Sequence, residues 1–225
     1  MSAAARTAAL SQGASTGHVI AWVAQTLRAE LPESIATLVD VGCGQGDLFP
    51  PLRGHVRRYF GLDVVRYAGL DRYPAIVFHA TDLNALRFPL DDAIADAAVA
   101  VETIEHLENP RALLRELARL TRPGGLVLVT TPNQLSWLSK LSLLVKNQFT
   151  AFQEAPGLYP THITALVAED LRHIAAECGL EAVAIRYSLQ GRVPGRGRHF
   201  PAWASHRWPR GASDNVMLLA RKGVA

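Results

Sequence analysis

Short apolar runs, several of them closing on a polar or acidic residue, recur at residues 37–41, 56–62, 75–80, 95–101 and 125–130. Their length and composition predict strands. Between them, residues 17–29, 47–52, 109–120 and 168–178 are patterned as helices, and the alternation predicts an α/β fold on a parallel sheet. Asn109 and Pro110 suit a cap and a first turn, with Leu113, Leu114, Leu117 and Leu120 following at helical spacing. Pro123, Gly124 and Gly125 are expected to stop that helix and turn the chain into the next strand. Residues 181–187 and 215–221 predict a hairpin that ends the sheet.

Two segments break the rhythm. Residues 131–166 contain a helix candidate at 134–146, on which Leu135, Trp137, Leu138, Leu141, Leu144 and Val145 form a broad apolar face with Lys140 and Lys146 among them. Packing of that face on the domain is the leading expectation; a hydrophobic lid and docking on a membrane surface are alternatives. Residues 188–213 hold Arg192, Arg196, Arg198, Arg207 and Arg210 and no acid, so the other 18 Lys and Arg face 20 acids. Three Pro and four Gly argue against a regular element there. With Phe200, Trp203 and Trp208, this segment could grip an anionic, sugar-containing or aromatic acceptor, or form a surface loop with its Trp residues anchored in the core. Five arginines without a lysine-rich run argue against nucleic acid.

A composition 49% apolar and 19% charged over 225 residues predicts one domain spanning 1–225, with an N-terminal helical extension at 1–36 and insertions at 131–166 and 188–213. No apolar stretch approaches the roughly 18 residues that span a bilayer. Residues 2–15 lack a sustained apolar core and read as a frayed tail rather than a signal peptide. Cys43 and Cys178 have no paired spacing, which argues against a disulfide framework or a cysteine-bound metal and fits a reducing cytoplasm.

The candidate chemistry begins at Asp40-Val41-Gly42-Cys43-Gly44-Gln45-Gly46, where a buried strand ends in an acid and three glycines alternate. Asp47 stands where a dinucleotide fingerprint needs its third glycine. Acids on both sides of the loop suit a ligand with a cationic amino-acid end and ribose hydroxyls, as in S-adenosylmethionine. Asp63, at the end of the second strand, is placed to accept from both ribose hydroxyls, with Asp71 as the competing acid. Asp82, closing the third strand, could accept from the adenine amino group or cap a helix from Leu83 onward.

Together with Glu102-Thr-Ile-Glu-His106, Leu120-Thr-Arg-Pro-Gly-Gly125 and Thr130-Thr-Pro-Asn133, these residues resemble the class I S-adenosylmethionine-dependent methyltransferases over about 37–183. The resemblance implies a Rossmann-like seven-stranded, mostly parallel sheet of order 3-2-1-4-5-7-6, with helices on both faces and the cofactor across the C-terminal strand ends. It implies that Asp40, Gly42 and Gly44, with Cys43 and Gly46 in the same loop, hold the methionine portion. Asp63 would then hold the ribose, Asp82 and Leu83 the adenine, and Val101 or Glu102 would lie near the sulfonium.

Glu102, Glu105 and His106 are spaced to converge in a turn after the fourth strand, and His162 is a candidate fourth ligand for a divalent cation such as Mg, Mn or Zn. The group resembles the metal sites of ubiquinone-pathway O-methyltransferases and of small-RNA terminal 2′-O-methyltransferases, without the additional histidines of the RNA enzymes. The alternative is that it caps and orients the loop. Without metal, His106 or His162 could act as general base. The expected activity is O-methylation of a hydroxyl on a small-molecule or glycan-type acceptor. N- or C-methylation of a metabolite, a non-catalytic S-adenosylmethionine-binding module and a nicotinamide-dependent oxidoreductase are the alternatives.

Overall fold

The computed structural model describes residue 13 and residues 15–153 and 161–224. Most of the tail expected at 2–15, and Pro160 beside the candidate ligand His162, lie outside the described residues. Seven strands form one sheet: β1 (Ile35–Val41), β2 (Val56–Asp63), β3 (Ile76–Ala80), β4 (Ala95–Val101), β5 (Thr121–Pro132), β6 (Leu180–Tyr187) and β7 (Asn215–Lys222). Their order is β3-β2-β1-β4-β5-β7-β6, as expected. β1 to β5 run parallel, whereas β7 pairs antiparallel with both β5 and β6.

Successive strand residues point to opposite faces, and each face is covered. On one side Leu38, Tyr59, Val99, Leu128 and Leu219 pack against Val19, Val23 and Leu27 of α1 (Gly17–Glu30), and the short α2 (Phe49–Leu52) sits beside it. On the other, Val39, Ala98, Val127 and Leu218 meet Leu113, Leu114 and Leu117 of α3 (Pro110–Leu120). A separate helix, which carries Leu171 and Ile174, completes that layer. Each fully buried Val or Leu contributes about 1.5–3 kcal/mol. The C-terminal strand ends therefore stand on a rigid floor.

Asn109 caps α3 as expected, its side chain accepting from the Ala112 N–H at 3.0 Å. The helix ends where its pattern predicts, but Pro123, Gly124 and Gly125 lie within the following strand rather than forming the turn into it. The last helical residue is Leu120, where the Thr121 hydroxyl donates to the Leu117 carbonyl at 2.7 Å, and β5 already begins at Thr121. Between β2 and β3 there is only a 3-10 turn, Ala68–Arg72.

The helix in the first insertion, α4 (Trp137–Lys146), is oriented against expectation. Its buried residues are Ser139 and Ser142, while Leu141, Leu143, Leu144 and Val145 are exposed. The serines hydrogen-bond the following loop; of the apolar face, Trp137 packs on Phe200 and Trp208, whereas Leu141, Leu144 and Val145 do not pack on the domain. After α5 (Ala168–Glu177), the Arg-rich insertion contains α6 (Ala202–Arg207) despite its Pro and Gly content. Pro201 precedes this helix, where its fixed φ is tolerated. Trp203 and Trp208 are exposed rather than anchored in the core. Among the described residues no helix is long and apolar enough to cross a membrane.

Candidate cofactor and acceptor site

The loops after β1, β2, β3, β4 and β5 meet at one edge of the sheet, and the order reverses between β1 and β4. Such a switch point leaves a crevice beyond the strand ends. Gly42, Gly44 and Gly46 take φ values of 78°, 50° and 80°, a left-handed conformation that disfavours side chains. Space enforces the same choice: a Cβ on Gly42 would overlap Thr103, and one on Gly44 would overlap the Gly13 carbonyl. Thr103 thus presses the loop after β4 against the glycine loop, its Oγ lying 3.3 Å from the Val41 carbonyl and 3.1 Å from that of Val101. Gly13 lies across the loop and accepts from the Gln45 N–H at 2.9 Å.

Asp40 is buried at the end of β1 and accepts from the Tyr59 hydroxyl at 2.6 Å. Burial pushes its carboxyl up to about 7; the Tyr59 hydrogen bond works against this, and the nearby Asp63 charge adds to it. Asp63 ends β2 with Oδ2 accepting from Gly44 N–H at 2.9 Å and Oδ1 from Val64 N–H at 2.7 Å. Burial raises its carboxyl, and the backbone donors offset part of that rise. The competing acid, Asp71, is exposed and paired with Arg66 at 2.9 Å. Cys43 is free and buried against Gly61, and burial raises its thiol, so the group stays protonated and unreactive. Asp82 is exposed and accepts from Asn84 N–H at 3.0 Å. No helix follows it, so the capping alternative does not hold, and Leu83 is buried in the core.

Glu102 follows Val101 with φ at 51°, outside the usual region for a side chain. Its N–H is shared between the Thr130 carbonyl and hydroxyl at 3.2 and 3.1 Å, and its carboxylate accepts from Asn215 Nδ2 at 2.9 Å. Burial pushes this carboxyl up to about 7, against the Asn215 bond. Glu105 is fully buried; Oε2 accepts from the Thr131 hydroxyl at 3.0 Å, and Oε1 has no partner among the described residues. Burial first, and the Glu102 charge second, raise its carboxyl well above the ordinary range.

The two histidines are brought to Glu105 by stitching of residues 161–164 onto the turn at Ile104–His106. The Glu105 carbonyl accepts from the N–H groups of Ile163 and Thr164 at 2.9 and 3.0 Å, and His106 Nδ1 lies 2.7 Å from the Thr161 carbonyl. His162 Nδ1 lies 2.9 Å from the Ala151 carbonyl. Carbonyl oxygens only accept, so in each neutral ring Nδ1 carries the proton and Nε2 the lone pair. Burial lowers the His106 pKa, against bonds to the backbone of Thr161 and Glu102. Burial and the neighbouring His106 lower that of His162 to about 4. One potential ligand atom from each of Glu105, His106 and His162 lies within 4.8 Å of the others. Glu102 stands outside that group, its carboxylate taken by Asn215 of β7.

A family model described as a methyltransferase domain matches residues 16–185. The chain belongs to that methyltransferase family. Its fold is that of the class I S-adenosylmethionine-dependent enzymes, and S-adenosylmethionine is the cofactor the family assignment supports. The chain is 31% identical over 148 residues to a probable S-adenosylmethionine-dependent methyltransferase of Mycolicibacterium smegmatis, covering 64% of this chain and 51% of the relative. It is 27% identical over 124 residues to the ubiquinone biosynthesis O-methyltransferase of Maricaulis maris, covering 52% and 49% respectively. The chain thus spans about half the length of the curated relatives it matches. Among solved structures, an S-adenosylmethionine-dependent methyltransferase from Archaeoglobus fulgidus aligns with a TM-score of 0.63 at 17% identity, over 90% of this chain and 94% of that one. The cyclase SpnF aligns at 0.61 and 21%, over 91% and 81%. At such identities the likeness concerns the fold alone.

The crevice is also lined or braced by residues that motif reading passes over. Thr103 lies inside the Glu-Thr-Ile-Glu-His motif but carries no chemistry of its own to flag it. Tyr59 is marked only by strand alternation that turns it to the Asp40 side, and Asn215 by nothing local, since it is 113 residues from Glu102.

Proposed function

We propose that this chain transfers the S-adenosylmethionine methyl group to a hydroxyl oxygen of a small-molecule or glycan-type acceptor, in a reducing cytoplasm. The observation that carries the reading is the meeting of Glu105, His106 and His162 in the loops after β4 and β5, beside the glycine loop. In this reading Asp40 and the glycines hold the methionine end, Asp63 takes the ribose hydroxyls on the lone pairs that its backbone donors leave free, and Asp82 faces the adenine edge. The acceptor hydroxyl gives its proton to a lone-pair nitrogen, the oxygen attacks the methyl carbon in line, and the sulfonium leaves as neutral S-adenosylhomocysteine. His106 Nε2 suits this task better than His162, whose basicity is lower.

The unpartnered buried Oε1 of Glu105 beside two imidazoles also fits a divalent cation. Glu105, His106 and His162 would hold it, with Thr131 and two backbone carbonyls fixing them from behind. Such an ion supplies a lowered pKa to a bound hydroxyl.

Calorimetry with S-adenosylmethionine and with NAD tests the cofactor; binding of NAD alone refutes the assignment. A methyl-transfer screen against hydroxylated and amine acceptors, with and without chelator, is read by mass spectrometry. O-methyl products support the proposal. Methylation of amines alone favours N-methylation, and an O-methyl yield unchanged by chelator removes the metal.

A further inference from the structure

Helix α4 turns its chemistry the wrong way for a helix resting on a core. Ser139 Oγ accepts from Thr150 N–H, and Ser142 Oγ donates to the Gln148 carbonyl while accepting from Gln153 Nε2. Opposite this polar seat, Leu141, Leu144 and Val145 share one face at helical spacing and are 44%, 83% and 72% exposed. The apolar surface continues beyond the helix. Trp137 packs on Trp208 with ring centroids 5.9 Å apart, and Trp208 on Trp203 at 6.2 Å; Trp203 is 68% exposed. Asn133 joins the two segments by donating to the carbonyls of Arg210 and Ser213.

The charge in the described parts of the two segments that form this surface is positive, with Glu154 and Asp214 just past them. Residues 134–153 contain Lys140 and Lys146 and no acid, and residues 188–213 contain five arginines and no acid. Among the described residues, the one acid that pairs with any of these arginines is Asp214, just past the second segment, which meets Arg192. A polyanion such as RNA would engage the arginines and stack on the Trp rings, yet it offers nothing to Leu144 and Val145. A second copy of this chain would bring a like charge. A bilayer bearing anionic headgroups satisfies the aliphatic, indole and guanidinium groups together.

We propose that α4 and the α6 region dock the protein flat on the surface of an anionic phospholipid membrane. Leu141, Leu144 and Val145 enter the boundary between headgroups and acyl chains, Trp203 and Trp208 lie at headgroup level, and the arginines meet lipid phosphates. With ten residues, α4 measures about 15 Å at the usual rise, half of the hydrocarbon thickness, so lying in the plane is the geometry open to it.

The test is co-sedimentation of the full chain with vesicles of phosphatidylcholine alone or mixed with phosphatidylglycerol, with Trp emission recorded in parallel. Binding should require phosphatidylglycerol, weaken as salt rises and shift the Trp emission to the blue. The double variant Leu144→Asp/Val145→Asp should bind about tenfold or more weakly with an unchanged thermal midpoint, because both side chains are exposed. Arg196→Gln and Arg198→Gln should each cost about fivefold. Equal binding to both vesicle types, or full binding by the Asp pair, overturns the proposal. Failure to bind vesicles while RNA is held equally by wild type and the Asp pair assigns the surface to polyanions instead. A wild-type dimer that the Asp pair dissociates assigns it to a second copy.

Discussion

Asp40→Asn isolates one buried proton. The Asp40 carboxyl stands at about 7 in the folded chain against an ordinary 3.8, chiefly because burial disfavours its charge. A carboxyl raised on folding stabilises the fold while it holds its proton, and that contribution is lost as pH rises through the folded pKa. Between about pH 4 and 7 the unfolded chain has released this proton and the folded chain has not. Each pH step is worth about 1.4 kcal/mol per proton, so the ionised carboxylate at pH 8 costs the folded state of order 4 kcal/mol. The amide introduced in place of the Asp40 carboxyl keeps an oxygen for the Tyr59 hydroxyl but buries an NH2 without an assigned partner, a cost of about 1–3 kcal/mol at every pH. The variant should therefore be about as stable as wild type at pH 5, where release of the proton by the unfolded chain has already cost wild type about 1.6 kcal/mol, and more stable, by about 2 kcal/mol, at pH 8. Urea unfolding at constant ionic strength across this range measures the difference, in which the contributions of Glu102 and Glu105 cancel and only the smaller coupling to Asp63 is carried along with that of Asp40. A difference that stays flat from pH 5 to 8 refutes the reasoning, since Asp40 would then titrate alike in both states.

Further outcomes follow from the same geometry. Gly42→Ala combines a left-handed φ with overlap on Thr103, so it should lose about 2–5 kcal/mol of stability and S-adenosylmethionine binding in calorimetry. Asn215→Ala removes the donor that holds the Glu102 carboxyl down, raising it further. The cost, about 1.5–3 kcal/mol in urea unfolding at pH 8, should shrink below pH 7 as Glu102 takes up its proton. Glu105→Gln should raise the thermal midpoint in chelator at pH 8, because it removes a buried carboxyl whose ionisation the fold resists. It should also abolish any midpoint gain that added Mn or Zn gives wild type; a gain kept by the variant would exclude Glu105 as a ligand.

The sheet was legible because strands buried on both faces leave apolar runs, and because two of these runs close on buried acids, Asp40 and Asp63, at the C-terminal strand ends. Periodicity likewise located α4 but not its direction, since it identifies an apolar face without saying what lies against it. Here hydrogen bonds to Thr150, Gln148 and Gln153 fix Ser139 and Ser142 inward. The Glu-x-x-Glu-His spacing suggested that both carboxylates could share one cation. Backbone geometry divides them: Glu102, at positive φ, is drawn to Asn215 across the antiparallel strand, and Glu105 stays with the histidines. Contacts at such sequence separation leave no local pattern.

The bond from Gly44 to Asp63 makes the glycine loop and the second strand one mechanical part. A variant at Asp63 that fails to bind cofactor could have lost a contact or unlatched a hinge, and affinity alone reports both as the same number. Hydrogen exchange at the Gly44 amide separates them: a protected amide with lost binding marks a missing contact, and a fast one marks a loop set loose.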